Sequence, residues 1–149
     1  MRTASRDIKK YLRVIDANLN RSAEGLRVCE DMARFALGDG TLQRSLKRMR
    51  HEVMGIGRKA AARHGLLLYR DSGRDVGKRT GRSDRKRNNE KDIFFANSQR
   101  VKESLRVLEE VAKCIDPRWS DAFKKVRFRL YTAEKRAFKK FIVYYGERQ

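Results

Sequence analysis

Two stretches of the chain, residues 17–35 (ANLNRSAEGLRVCEDMARF) and residues 96–114 (ANSQRVKESLRVLEEVAKC), are copies of one another at an offset of 79. Nine of the nineteen positions are identical, where chance composition would supply about one. A repeat of this length organises everything around it. Inside the first copy the apolar or small residues Leu12, Ile15, Leu19, Ser22, Leu26, Cys29 and Ala33 step by three and four. Phe94, Ser98, Val101, Leu105, Leu108, Ala112 and Ile115 step the same way in the second, with Ile115 matching Ala36. Such spacing is the seam of an amphipathic helix.

The segments that follow also match, at an offset of 77. Leu42, Leu46, Met49, Val53, Ile56 and Ala60 step by 4-3-4-3-4, as do Trp119, Phe123, Val126, Leu130, Ala133 and Ala137. Thr41 and Ser120 are candidate N-caps, and Gly65 and Gly146 candidate C-terminal stops. Gly38 and Gly40 close the first helix, and Pro117 follows the third. The pattern predicts helices near 7–37, 41–64, 91–115 and 120–145. Short connections at 38–40 and 116–119 make each pair antiparallel. The expected fold is all-α: one helical domain over 1–149, a four-helix bundle built from two pseudo-symmetric hairpins. Repeat one covers 7–65 and repeat two 91–146, joined by a basic connecting loop at 66–92. A loop of that length in a compact domain is usually functional or disordered.

The charge is lopsided. The 149 residues include 38 Lys and Arg against 19 Asp and Glu, a formal net charge of +19. Such a field attracts nucleic acid, phosphorylated metabolites or an acidic membrane surface. The longest apolar run, from Phe141 to Tyr145, is far too short to cross a bilayer, and residues 1–10 lack the apolar stretch of a signal peptide. The expectation is a cytoplasmic protein with no membrane partner. Cys29 and Cys114 both fall at expected core positions and read as small buried hydrophobes.

The repeated polar residues run Asn, Arg, Glu, Arg, Glu at every third position, from Asn18 to Glu30 and from Asn97 to Glu109. Arg27 and Glu24 read as members of a solvated ladder of ion pairs pointing away from the seam. Glu30 and Glu109 sit on its core flank. Counting back across an antiparallel hairpin puts Glu30 opposite Arg50 and Glu109 opposite Arg127, so these are read as register-fixing interhelical ion pairs. Asn18, Arg21, Asn97 and Arg100 lie on the other flank, beside Gly25, Val28 and Met32 or their equivalents. Helices one and three are expected to start at the end of the bundle where helix two finishes, which would gather these four residues and the loop at that end. Arg, Asn and a glycine loop there suit phosphate and Mg²⁺; a polar cap on the bundle fits the same spacing.

Several tempting motifs fail. Gly73 to Arg79 (GRDVGKR) has three residues between its glycines where a phosphate-binding Walker loop needs four, ends on the wrong residue and has no sheet beside it. His51-Glu52 has no second histidine four residues after the first, so it is no zinc-protease site. His51 reads as a helix-face histidine and His64 as a charge near a helix C-terminus. Neither GxSxG nor a partnered nucleophilic cysteine is present.

One set of motifs runs through most of the chain in order: IDANLNR at 15–21, EGLRV at 24–28 with Glu30-Asp31, Leu46-Lys47 with Arg50-His51-Glu52, Asp75-Val76-Gly77, and Ala96-Asn97, Arg100 and ESLRVLEE at 103–110. From about residue 10 to 145 the chain resembles the small all-helical domain of thiamin biosynthesis often fused before thiamin phosphate synthase, described as an alternative hydroxymethylpyrimidine phosphate kinase. The resemblance implies transfer of phosphate from ATP, with Mg²⁺, to hydroxymethylpyrimidine monophosphate. It implies a phosphorylated metabolite and a nucleotide as ligands, with thiamin phosphate synthase a candidate protein partner and self-association left open. Neither the (β/α)₈ barrel of thiamin phosphate synthase, about 250 residues, nor the α/β pattern of ribokinase-like pyrimidine kinases is present in this sequence. On this reading Asp75 is the expected Mg²⁺ ligand or catalytic base. Gly73 and Gly77 let the backbone approach phosphates, and Arg74 and Lys78 add charge. Arg21 and Arg100 would hold phosphates, and Asn18 and Asn97 would bond pyrimidine or ribose. Asp75 as a plain turn residue, a helical nucleic-acid-binding module, and a non-catalytic helper of thiamin phosphate synthase are the rival readings.

Overall fold

The computed structural model describes residues 2–74, 76–77 and 86–147, with side chains from residue 8 onward. Four long helices make up the fold: α1 (Arg2–Asp31), α2 (Gly40–His64), α3 (Glu90–Ala112) and α4 (Pro117–Gly146). A π-helical turn, Met32–Ala36, extends α1, and a 3₁₀ turn, Leu66–Tyr69, follows α2. Among the described residues there is no strand. The seam residues predicted from spacing form one continuous core. Leu26, Cys29, Leu46, Phe94, Val101, Leu105, Phe123 and Leu130 are fully buried, and each large apolar side chain contributes about 1.5–3 kcal/mol relative to exposure.

The caps differ from expectation by a few residues. Asp39, not Thr41, caps α2, its carboxylate accepting from the Thr41 and Leu42 amides at 3.1 and 3.0 Å. Asp116, not Ser120, caps α4, accepting from the Arg118 amide at 3.0 Å, and Pro117 begins that helix instead of merely following α3. A carboxylate is the better cap here because it also neutralises the helix N-terminus. Gly65 ends α2 with φ of 63°, the left-handed conformation that glycine takes without penalty. Cys114 lies just past the end of α3 and is exposed, so only Cys29 is a core cysteine.

Both hairpins are antiparallel. Glu30 receives Arg50 Nε at 2.8 Å, and Glu109 receives Arg127 through Nε and, at 3.0 Å, Nη2. The docking of one hairpin on the other is where the structure departs from the expected arrangement. Cys29 Sγ donates to the Phe94 carbonyl at 3.4 Å, and Gly25 abuts the Asn97 carbonyl and Val101. Residue numbers therefore fall along α1 as they rise along α3: the two are antiparallel, and Ser22 lies near Val101, its own equivalent. On the opposite face α2 and α4 also run antiparallel, with Arg129 gripping Glu52 at 2.7 and 2.9 Å. Those two are equivalents as well, so the pseudo-two-fold axis passes from the α1–α3 seam to the Glu52–Arg129 pair. Cross-repeat ion pairs lock the ends: Arg136 clamps Asp39 at 2.7 and 2.9 Å, and Arg63 approaches Asp116 at 3.5 Å.

With α1 and α3 antiparallel, α2 finishes at one end of the bundle and α3 starts at the other. The connection must travel the length of the bundle, which explains why it is long. It leaves pinned to α1, Arg70 clamping Asp16 at 2.7 and 2.8 Å and Arg13 Nη2 donating to the Asp71 carbonyl at 3.1 Å. It arrives at Asn89, whose side chain caps α3. From the Asp16 level to the start of α3 is roughly 25 Å of helix, well within the reach of the twenty residues available.

Candidate functional site

The antiparallel crossing creates a cleft along the α1–α3 seam, on the pseudo-two-fold axis. Asn18, Arg21, Glu24, Gly25 and Val28 line it from α1, and Asn97, Arg100, Glu103, Ser104 and Val107 line it from α3. Each residue of the first set is the repeat equivalent, at an offset of 79, of one in the second. Gly77 of the connection completes the lining. The cleft encloses about 660 Å³, a size typical of small-ligand sites.

Helix periodicity explains why these side chains converge. Residues 18, 21, 25 and 28 share one face of α1, and the crossing presents the same face of α3 to it. The helices approach closely because position 25 is glycine. A Cβ there would sit 2.6 Å from Val101 Cγ2 and 3.1 Å from the Asn97 carbonyl oxygen. At the equivalent position Ser104 turns its hydroxyl back to donate to the Arg100 carbonyl. The two asparagines are held alike: Asn18 Nδ2 donates to the Val14 carbonyl and Asn97 Nδ2 to the Ile93 carbonyl, both at 2.8 Å. Asn18 Oδ1 accepts from Arg21 Nη1 at 3.4 Å. Asn18 is 5% exposed, while Arg21 and Arg100 are exposed residues of the cleft lining.

The sequence-derived site residues are thus partly brought together. Asn18, Arg21, Asn97, Arg100 and Gly77 line one cleft, but at the middle of the bundle and not at one end, because α1 and α3 are antiparallel. Glu24, read from the sequence as pointing away, and its repeat equivalent Glu103 line the same cleft, since its floor is the seam and its mouth is solvent. Gly73 and Arg74 form an exposed turn in which the Arg74 amide donates to Asp71 Oδ1 at 3.2 Å, away from the cleft lining. Asp75 and Lys78 lie outside the described residues. Glu30, Arg50, Glu109 and Arg127 sit on the hairpin interfaces, where they tie α1 to α2 and α3 to α4. The repeat pattern gives no sign of the Asp16–Arg70 pair, because Asp16 has no polar equivalent in repeat two, where Phe95 stands.

Chemically, the cleft offers two guanidinium groups, two amides and two carboxylates. Guanidinium forks match phosphate oxygens. Two carboxylates alone are the number of protein oxygen ligands that Mg²⁺ takes at phosphoryl-transfer sites, where the ion keeps several waters and draws its other ligands from substrate phosphates; among the described residues there is no cluster of three or more metal-ligating side chains.

Fold and cleft together define an internally duplicated, all-α domain with a polar, ligand-sized cleft between its repeats. The chain belongs to the ThiD2 family, whose model matches residues 13–136. It is similar to proteins named thiamine-phosphate synthase. That of Nostoc sp. (strain PCC 7120 / SAG 25.82 / UTEX 2576) is 38% identical over 125 residues, 82% of this chain and 34% of the relative. That of Gloeobacter violaceus is 39% identical over 127 residues, 85% of this chain and 36% of the relative. That of Rhodopirellula baltica is 36% identical over 126 residues, 83% of this chain and 33% of the relative. The chain spans about a third of the length of the curated relatives it matches. No solved structure matches it. Among the described residues, no helix is long and apolar enough to cross a membrane.

Proposed function

We propose that this domain is a small-molecule phosphotransferase of thiamin biosynthesis that uses Mg²⁺ and ATP to convert hydroxymethylpyrimidine phosphate to its diphosphate. The observation that carries the reading is the cleft itself: Arg21 and Arg100, Glu24 and Glu103, duplicated across one axis within a ligand-sized volume. The relatives' name supports thiamin chemistry, and the net charge of +19 favours anionic substrates.

The reaction asks for positioning and charge neutralisation more than for covalent help. The acceptor is a phosphate monoester whose second ionisation falls near pH 6, so at neutral pH it is largely a dianion. Its attacking oxygen carries no proton, and no general base is required; an Asp75 role would be that of a metal ligand. The acceptor oxygen bonds to the γ-phosphorus as the bond from that phosphorus to the β,γ-bridging oxygen breaks. ADP departs with the electron pair. Arg21 and Arg100 draw the two anions together and offset their repulsion. Glu24 and Glu103 would hold Mg²⁺, which supplies further neutralisation when bound.

The test is to incubate the purified chain with Mg²⁺-ATP and hydroxymethylpyrimidine phosphate and separate the products by ion exchange. Diphosphate and ADP should appear in equal amounts. Glu24→Gln and Glu103→Gln should each lower turnover at least about tenfold with helicity unchanged, and Asp75→Asn should lower it too. Absence of diphosphate with every nucleoside triphosphate refutes the reading. It would favour instead a non-catalytic accessory role beside thiamin phosphate synthase, which the relatives' name and the one-third coverage also support.

A further inference from the structure

The walls of the cleft are symmetric, but what lies beyond them is not. Past Asn18 a groove continues along α1, lined by Lys10, Arg13, Val14 and Ala17 as well as Asn18 and Arg21. The positions equivalent to Lys10 and Arg13 are Asn89 and Asp92. Those two are spent on the start of α3, where Asn89 Oδ1 accepts from the Asp92 amide at 2.9 Å and Asp92 Oδ2 accepts from Asn88. One half of the cleft thus opens into a cationic channel and the other into a neutral-to-acidic helix cap.

The register of the crossing sets the spacing. Arg21 and Arg100 stand on either side of the two-fold axis, about 3 Å apart along the helix direction, while Asn18 and Asn97 lie farther from it on opposite sides, roughly 12 Å apart in that direction. Two ligands entering from opposite ends would meet at the arginines. From Arg21 out to Lys10 is about 16 Å of helix, room for a chain of several phosphates. Beyond Arg100 there is one amide and then a carboxylate, which suits a single phosphate with a neutral ring.

We infer that the two repeats divide the two ligands: a nucleoside triphosphate lies on the repeat-one half, along Arg21, Arg13 and Lys10, and the phosphomonoester lies on the repeat-two half, against Arg100 and Asn97. The identities of the ligands rest on the phosphotransferase reading; their separation rests on the asymmetry beyond the axis. The two halves are the two arms of one duplicated hairpin that have diverged outside the shared centre.

Titration calorimetry on the intact chain tests this, using the Mg²⁺ complex of a β,γ-imido ATP analogue and hydroxymethylpyrimidine phosphate, alone and in succession. Each should bind once per chain and neither should displace the other. Arg13→Ala should weaken the nucleotide analogue about tenfold and leave the monophosphate within a factor of about two. Arg100→Ala should weaken the monophosphate about tenfold or more. Because Arg13 also holds the Asp71 carbonyl, Arg13→Lys is the control and should restore most of the nucleotide affinity. Competition between the ligands, an equal loss of both in Arg13→Ala, or failure of either to bind overturns the division. Non-competitive binding with no turnover sustains the division and refutes the kinase activity. Turnover in which Arg13→Ala and Arg100→Ala raise the KM of one and the same substrate does the reverse.

Discussion

Replacing Glu109 by leucine should destabilise the protein by about 3 kcal/mol. Glu109 is 2% exposed, and its carboxylate accepts from Arg127 Nε and Nη2 and from Arg106 Nη1. Leucine fills similar volume, so the loss is electrostatic and not a cavity. Removing one partner of a buried pair costs about 3–5 kcal/mol because the other charge is left desolvated. Two features hold the cost at the lower end. The Arg127 side chain retains 15% exposure, and its Nη1 still donates to the Tyr131 hydroxyl at 2.8 Å. Arg106, at 57% exposure, adds little. Urea unfolding followed by circular dichroism reads the change: with a slope of about 2 kcal/mol/M, the midpoint should fall by roughly 1.5 M. The double variant Glu109→Leu/Arg127→Leu should recover to within about 1 kcal/mol of the parent, since an apolar pair replaces the ionic one. A single-variant loss below about 1 kcal/mol, or a double variant as unstable as the single, would refute the reasoning.

Other outcomes follow from the same geometry. The two hydrogen bonds from Arg136 hold the Asp39 carboxyl below its ordinary range. A depressed folded-state value means that its contribution is complete above the unfolded value of about 3.9 and is lost as pH falls through the lower folded value. Urea midpoints should therefore drop in acid, and Asp39→Asn should flatten that part of the profile. Burial, reinforced by Glu134, pushes the Cys29 thiol up to about 12, whereas Cys114 is exposed. A colorimetric disulfide reagent should titrate one thiol in the native protein and two in denaturant; two fast native thiols would contradict the seam. Gly25→Ala gains about 1 kcal/mol of helix propensity but forces a methyl into Val101 and the Asn97 carbonyl, at a cost of about 1–3 kcal/mol. A net loss near 1 kcal/mol, with weaker ligand binding as the α3 wall is displaced, is expected by calorimetry. A stabilised variant would show the approach to be looser than described.

Much of this was legible in the sequence because it is local. The three-and-four stepping from Leu12 to Ala33 and from Phe94 to Ala112 names the buried seam, and counting across a short turn pairs Glu30 with Arg50 and Glu109 with Arg127. The relative direction of the hairpins was not legible. It depends on which helix faces pack together, decided by the close approach at Gly25, and seam spacing is the same for either direction. The length of the 66–92 connection was the overlooked signal, since a same-end return needs only a few residues. That single choice moved the cleft from one end of the bundle to its middle. It also brought Glu24 and Glu103 into the lining. Thr41 and Ser120 are ordinary capping residues and so compete with the true caps in the sequence; Asp39 gains from Arg136 of the other repeat, which no local pattern reveals, whereas Asp116 is gripped by its near neighbour Arg118 and only approached by Arg63.

Whether anionic ligands bind in the α1–α3 cleft is tested most directly by amide chemical shifts of the labelled chain. Adding the Mg²⁺ complex of the imido-ATP analogue and then hydroxymethylpyrimidine phosphate should shift resonances within 10–21 and 103–107 for the first ligand and within 97–100 and 24–28 for the second, because the helices are antiparallel, with α2 largely silent. Shifts confined to the exposed basic residues of α2 and α4, such as Arg48, Lys59, Lys125 and Lys139, would contradict the account and mark the charge, not the cleft, as the reason the protein binds anions.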